Sequence, residues 1–196
     1  MLLARPNLIS RLGAFAHRFR LARRGAAAVE FGMLALPFFA LICGIMEIGL
    51  IFVVSTTLED ATNTAARQIR TGQTQTGTSP STSASFVSTI CGNLTWLGSA
   101  CTTNLSVDVR TYSQFSSITV TQPVTSGVFN PAALTYNIGG PCDLVVVRSY
   151  YQWTLFAPLM DAAMQSISGG KALITSAATF RNEPYTNSTA TCSKPL

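Results

Sequence analysis

Four acids in the C-terminal half, Asp108, Asp143, Asp161 and Glu183, are the residues that could perform general acid–base chemistry if two of them met across a cleft. Scattered acids of this kind are usually solvated surface. The nucleophilic routes are thinner still. His17 is the only histidine, and it lies in a basic N-terminal arm, so Ser–His or Cys–His activation is unavailable further along. No G-x-x-x-x-G-K-[ST] loop is present, and Gly139-Gly140 followed by Pro141 is turn chemistry. The sequence therefore predicts no enzyme, no catalytic residue, no cofactor and no small-molecule substrate. The sequons at Asn93, Asn104 and Asn187 are expected by chance in so Thr/Ser-rich a chain.

Cysteine chemistry divides by region. Cys43 sits in an apolar run, where a lone thiol behaves as a small hydrophobe. Cys91, Cys101, Cys142 and Cys192 lie beyond it, and four cysteines in an exported domain predict two disulfides with three possible connectivities. Cys91–Cys101 with Cys142–Cys192 is preferred, because the first closes a short local loop and the second ties down the tail. No C-x-x-C pair exists, so no metal is expected.

Charge and hydropathy identify what positions these residues. The chain has 196 residues, a net charge of +5 and only 11% charged residues against 47% hydrophobic ones, too apolar for a wholly soluble protein. Arg5, Arg11, Arg18, Arg20, Arg23 and Arg24 all precede Gly25, leaving seven of the thirteen Lys and Arg residues against all eight acids after it. The basicity belongs to the arm, and the nucleic-acid reading loses its support. The arm's apolar residues are loosely helical in spacing. It reads either as a segment lying on the anionic inner leaflet or as a disordered leader.

From Phe31 to Val54 the only acid or base is Glu47. At ~1.5 Å per residue a helix over this stretch reaches about 36 Å, enough for the ~30 Å hydrocarbon core and too long for a cleaved secretory signal. Arginines before it and none within the next twelve residues put the N-terminus in the cytoplasm and the remainder outside. Pro37 lacks an N–H for the Met33 carbonyl, which predicts a kink or loosened turn. The helix continues beyond the membrane: Leu58, Ala61, Ala65 and Ile69 form one stripe, Glu59, Asp60, Asn63, Arg67 and Arg70 fall on other faces, and Gly72 terminates it.

Residues 71–85 read as a Thr/Ser/Gly-rich linker, and residues 86–196 as an extracytoplasmic domain. Within it "SFVSTICGNLTWLG" predicts a short helix. "LSVDVRT" alternates as a strand with Leu105, Val107 and Val109 on one face, and "SITVTQP" does the same with Ile118 and Val120. "DLVVVRSYYQWTLF" is apolar on both faces and reads as a central strand. A short helix around "APLMDAAMQSI", a turn at Gly169-Gly170 and a last strand "KALITSAATF" complete it. The fold class is α+β: a long N-terminal membrane-spanning helix carrying a small, disulfide-stapled, mainly antiparallel sheet with short helices.

The stretch at the head of the apolar run is more specific. Gly25, then Ala26-Ala27-Ala28-Val29, Glu30 and Phe31 resemble the class III signal of type IV pilins, and the Glu-aromatic pair resembles the Flp, or tight-adherence, branch. "RRGAAAVEFGMLALPFFALICGIMEIGLIF", "DATNTAARQIRTGQ", "LVVVRSYYQWTLFAPLM" and "FRNEPY" are together similar to the TadE-like minor pilins, or pseudopilins, of the Tad type IVb pilus system. The resemblance covers residues 23–73 well and the outer domain loosely.

The resemblance implies that residues 1–25 are a prepilin leader, cut between Gly25 and Ala26 by a membrane-embedded prepilin peptidase. It implies that the helix 26–70, spanning the membrane at about 31–54, packs with other pilin helices and the Tad assembly machinery at the bacterial inner membrane. Glu30 and Phe31 would serve registration there. Shaft-forming Flp pilins are little more than the helix, so the size here suits an accessory subunit. Longer TadG-like relatives usually lack the Glu. The alternative is an unprocessed, single-pass signal-anchored envelope protein with an extracytoplasmic binding domain. An anchored envelope hydrolase is a third, disfavoured class.

Glu30 raises its own question, since a charge in hydrocarbon costs about 2.5–3.5 kcal/mol on insertion scales. Cleavage would create a protonated α-amine at Ala26, and such a pair at ~4 Å and an effective dielectric near 20 gains about 4 kcal/mol. That amine could belong to the same chain, one turn away, or to a neighbouring pilin.

Overall fold

A computed structural model describes residues 25–77, 81–119, 121–157, 161–185 and 192. The basic arm, Val120 and Asn187 lie outside these residues. The chain divides after Ile45 into two units.

Helix α1 (Ala26–Arg70) runs on through Pro37. In the first unit its side chains face outward: Phe31 is 71% exposed, Met33 75% and Leu34 72%. Water would not tolerate such a surface, whereas hydrocarbon would. Among the described residues this is the one helix long and apolar enough to cross a membrane.

The second unit starts at Met46 and is built around a three-stranded antiparallel sheet in the order β1 (Leu105–Tyr112), β4 (Leu144–Thr154), β5 (Lys171–Arg181). Strand β4 is central, its register running from Leu105↔Tyr151 to Tyr112↔Leu144 on one side and from Leu144↔Arg181 to Thr154↔Lys171 on the other. The distal half of α1 shares one core with the sheet. Leu58, Ala61, Ala65 and Ile69 are buried, as the stripe predicts, among Val107, Val109, Val145, Val147, Tyr151 and Ile174. Alanines in that stripe let the helix lie close to the sheet. The opposite faces of α1 carry the exposed Glu59, Asp60, Asn63, Arg67 and Arg70. Val146, Arg148 and Tyr150, on the other side of β4, are buried too, which accounts for a strand apolar on both faces.

Short elements close the unit. After the single turn α2 (Gln73–Thr76), α3 (Ser83–Gly92) starts with a capping box in which Ser85 N–H donates to Thr82 Oγ1 at 3.1 Å and Thr82 N–H to Ser85 Oγ at 3.0 Å. It buries Phe86 and Ile90, and Cys91 is joined to Cys101 of α4 (Ser99–Asn104). A two-stranded ribbon, β2 (Val124–Thr125) and β3 (Val128–Phe129), places Phe129 against Tyr150 with ring centroids 5.8 Å apart. Helix α5 (Asp161–Met164) precedes the turn at Gly169 and Gly170, with φ of 86° and 65°. Cys142 is joined to Cys192, so both disulfides match the preferred pairing, and Cys43 is free.

One strand expectation is corrected. Among its described residues the "SITVTQP" segment contributes no strand to the sheet: Phe115–Ser117 forms a 3-10 turn, and Ile118 and Thr119 are irregular. The edge of β1 away from β4 is taken by residues 135–137. Val109 N–H donates to Thr135 O at 2.8 Å, and Asn137 N–H donates to Val109 O at 2.8 Å. A period-two pattern makes a strand only where a neighbour offers its backbone.

Candidate functional site

At the head of α1, Glu30 and Phe31 both face outward, and no hydrogen-bond or ion-pair partner of Glu30 is present among the described residues. Phe31, Leu34, Ala35, Phe38 and Phe39 form a shallow apolar concavity of about 410 Å³ on one side of the helix. Phe38 and Phe39 meet edge to face at 5.8 Å. This is a surface for another apolar helix or for acyl chains. It has no chemistry of its own.

Glu47 is the acid that sequence reasoning passed over. It is 0% exposed. Trp153 Nε1–H donates to its Oε1 at 2.7 Å, and the backbone N–H groups of Phe156 and Ala157 donate to its Oε2, both at 2.9 Å. The chain leaving β4 thus turns its unpaired N–H groups onto a carboxylate of α1. The available signal was the acid itself: a lone carboxylate in so apolar a run requires donors, and an indole N–H is among the few a hydrophobic segment can supply.

Further along α1, the segments that carry the family resemblance meet. Thr62 Oγ1 bonds Ser149 Oγ at 2.9 Å inside the core. The end of α1 meets the "FRNEPY" segment: Glu183 N–H donates to Arg70 O at 2.8 Å, and Arg70 Nε to Glu183 Oε1 at 3.1 Å. That ion pair is half exposed and contributes little, roughly 0–1 kcal/mol. Gly72, at φ 79°, lies so close to the Tyr185 ring that no β-carbon would fit. Asn182 is buried, its Nδ2 donating to Ile138 O at 3.0 Å and Gly140 O at 2.9 Å. These late residues are fasteners. They tie the last strand to the end of the helix and to the loop before β4.

Asp108 also departs from expectation. It is fully buried rather than solvated, and it serves as the acceptor of a polar knot. Its Oδ1 accepts Thr135 N–H at 2.8 Å, and Arg110 Nε reaches both carboxylate oxygens at 3.0 Å. Arg148 Nε donates to Oδ2 at 3.1 Å, and its Nη2 is bonded to the same oxygen. Arg110 Nη2 also donates to Ala133 O, and Arg148 Nη1 to Thr121 O. Burial by itself raises the Asp108 pKa, but the Thr135 N–H, Arg148 and Arg110 together outweigh it and hold the carboxyl below its ordinary value. An acid held so strongly ionised between two guanidinium groups is a poor proton donor or base.

Two of the other candidates have structural partners as well, and the Asp161 side chain lies outside the described ones. Asp143 Oδ2 accepts Gly140 N–H at 2.9 Å, and Glu183 faces Arg70. No group of three metal-ligating side chains occurs among the described residues. A cavity of about 530 Å³ between α3, β1 and residues 131–136 is lined by hydroxyls and apolar groups, with Tyr136 its one titratable side chain. Nothing there could activate a nucleophile.

The fold and these sites define an α+β domain built onto the distal half of one long N-terminal apolar helix, in keeping with a single-pass membrane anchor. Residues 25–67 match the model of a protein family described as TadE-like protein, the family that the sequence resembles. No curated protein and no solved structure matches the chain.

Proposed function

We propose that this protein is a non-enzymatic minor pilin, or pseudopilin, that takes part in assembling a Tad pilus after prepilin-peptidase cleavage between Gly25 and Ala26. One coincidence of boundaries carries the reading. The family match begins at Gly25, and the outward apolar surface of α1 that would pack among other helices begins within the next turns. Cleavage there leaves a helix with a free amine at its head and Glu30 one turn along. The outer domain, clasped to the distal half of the same helix, stays outside the membrane and is carried into position by it.

The mature N-terminus tests this. Mass spectrometry of the membrane-extracted protein from a strain with an active prepilin peptidase should give a chain starting at Ala26, and Gly25→Leu should leave the full-length precursor. A chain that still starts at Met1 in that strain would sink the pilin reading and leave the unprocessed signal-anchored protein in its place.

A further inference from the structure

The exposed apolar surface does not stop where the outer domain begins. In the second unit Met46 is 59% exposed, Ile48 52%, Phe52 67% and Val53 45%, all on α1. Phe156, in the segment leaving β4, is 53% exposed. Its backbone N–H is bonded to Glu47, so it lies at the same level along α1 as this collar. In sequence, residues 155–160 are all apolar, "LFAPLM".

Chain leaving a strand can enter a membrane interface only if its freed N–H groups find acceptors, because acyl chains offer none. Here Glu47 accepts the N–H groups of Phe156 and Ala157, and the Trp153 indole N–H as well. The requirement also runs the other way. A carboxylate within an apolar helix at that level needs donors, and this segment supplies three. Each partner removes the other's desolvation cost, while the Phe156 ring remains outside the cluster.

We propose that Trp153–Ala157 is a second membrane-contacting element: it lies in the outer-leaflet interface beside α1, held at that depth by Glu47, with the Phe156 ring among lipid chains. Lipid is the occupant because the collar Met46–Val53 continues the apolar run long enough to cross the bilayer, with Glu47 its one charged residue. Aromatic side chains are enriched at this depth. The proposal rests on the membrane-anchor reading of α1, and the test separates the two.

The full chain with Cys43→Ala receives a single cysteine at Phe156, Phe39 or Asn63, each labelled with an environment-sensitive fluorophore and reconstituted into phosphatidylethanolamine–phosphatidylglycerol vesicles with or without lipids brominated on their acyl chains. Asn63 is exposed and lies about 24 Å beyond Glu47 along the helix. The expected result is a blue-shifted label at Phe156, quenched by the brominated lipid as at Phe39, with Asn63 unaffected. In a Glu47→Ala background, quenching at Phe156 should fall while that at Phe39 persists. A Phe156 label that reads water while Phe39 is quenched overturns the proposal and leaves the anchor standing. A blue-shifted but unquenched Phe156 label assigns the contact to protein, which also overturns it. If Phe39 reads water too, the anchor reading fails first. If quenching at Phe156 survives Glu47→Ala, Glu47 does not hold the segment.

Discussion

Glu47 and Trp153 stand 106 positions apart in sequence and are joined by a 2.7 Å hydrogen bond from the indole Nε1–H to the carboxylate. With the N–H groups of Phe156 and Ala157 on its second oxygen, one acid closes the end of the central strand onto the helix. The helix that is long and apolar enough to cross a membrane is therefore also a core element of the α+β domain, and the two features overlap at Glu47.

Glu47→Ala should destabilise the outer domain by roughly 2–5 kcal/mol, since buried donors lose their acceptor. Glu47→Gln should cost nearly as much, because its amide presents N–H groups toward donors. Trp153→Phe should cost less, removing one of three bonds. Urea unfolding in detergent, followed by protease sensitivity of the sheet, gives the ranking. Equal stability of Glu47→Ala and the parent would show that the carboxylate is not a fastener.

Asp108 makes stability depend on pH with a definite sign. Its folded-state pKa is below the unfolded one, near 3.8, so its contribution is fully present above that value and is lost as pH falls through the depressed folded value. The domain should hold its stability from neutral pH down to about 4 and lose it below. Asp108→Asn should cost roughly 3–5 kcal/mol at pH 7, since it strands the buried Arg148 charge. The gap between variant and parent should narrow as pH drops below 4. A gap of constant size between pH 7 and 3 would assign the effect to packing instead.

Both disulfides should be present in the exported protein. Each is expected to contribute about 2–4 kcal/mol, chiefly by restricting the unfolded chain. Cys142–Cys192 spans 50 positions and Cys91–Cys101 spans 10, so the former should contribute more. Peptide mapping without reductant identifies the linked pairs. Four alkylatable thiols in the outer domain would contradict both the pairing and the exported topology.

Glu30 should matter for assembly rather than for folding. It is exposed and outside the outer domain, so Glu30→Gln should leave stability, membrane insertion and cleavage at Gly25 largely unchanged. The neutral side chain cannot pair with a neighbouring chain's α-amine, and co-purification with other pilins or piliation should drop. Wild-type piliation by a processed Gln variant would restrict Glu30 to a role within its own chain.

Much of this architecture was legible from local pattern. The stripe of Leu58, Ala61, Ala65 and Ile69 predicted the buried face of α1, Gly72 its end, and the two-faced apolar run 144–154 the central strand. These features repeat with the period of their own element, so a short window contains them. The apolar run beginning at Phe31 is of the same kind, since hydrocarbon thickness sets a length that can be counted along the chain.

Tertiary structure decided the pairings that no window contains. Ile118 and Thr119 alternate in sequence yet stay irregular, and the edge of β1 is bonded instead by residues 135–137. Asp108 alternated outward in sequence and became buried because Arg148, forty positions later, lay opposite it across the sheet. Glu47 was the one acid in an apolar run, with no partner in its own window, and β4 brought Trp153 to it. In each case the local pattern exposed a polar group or a strand edge with an unmet requirement. Only the folded chain determined which distant residue met it, because burial makes an unmet hydrogen bond costly and folding selects the arrangement that leaves fewest.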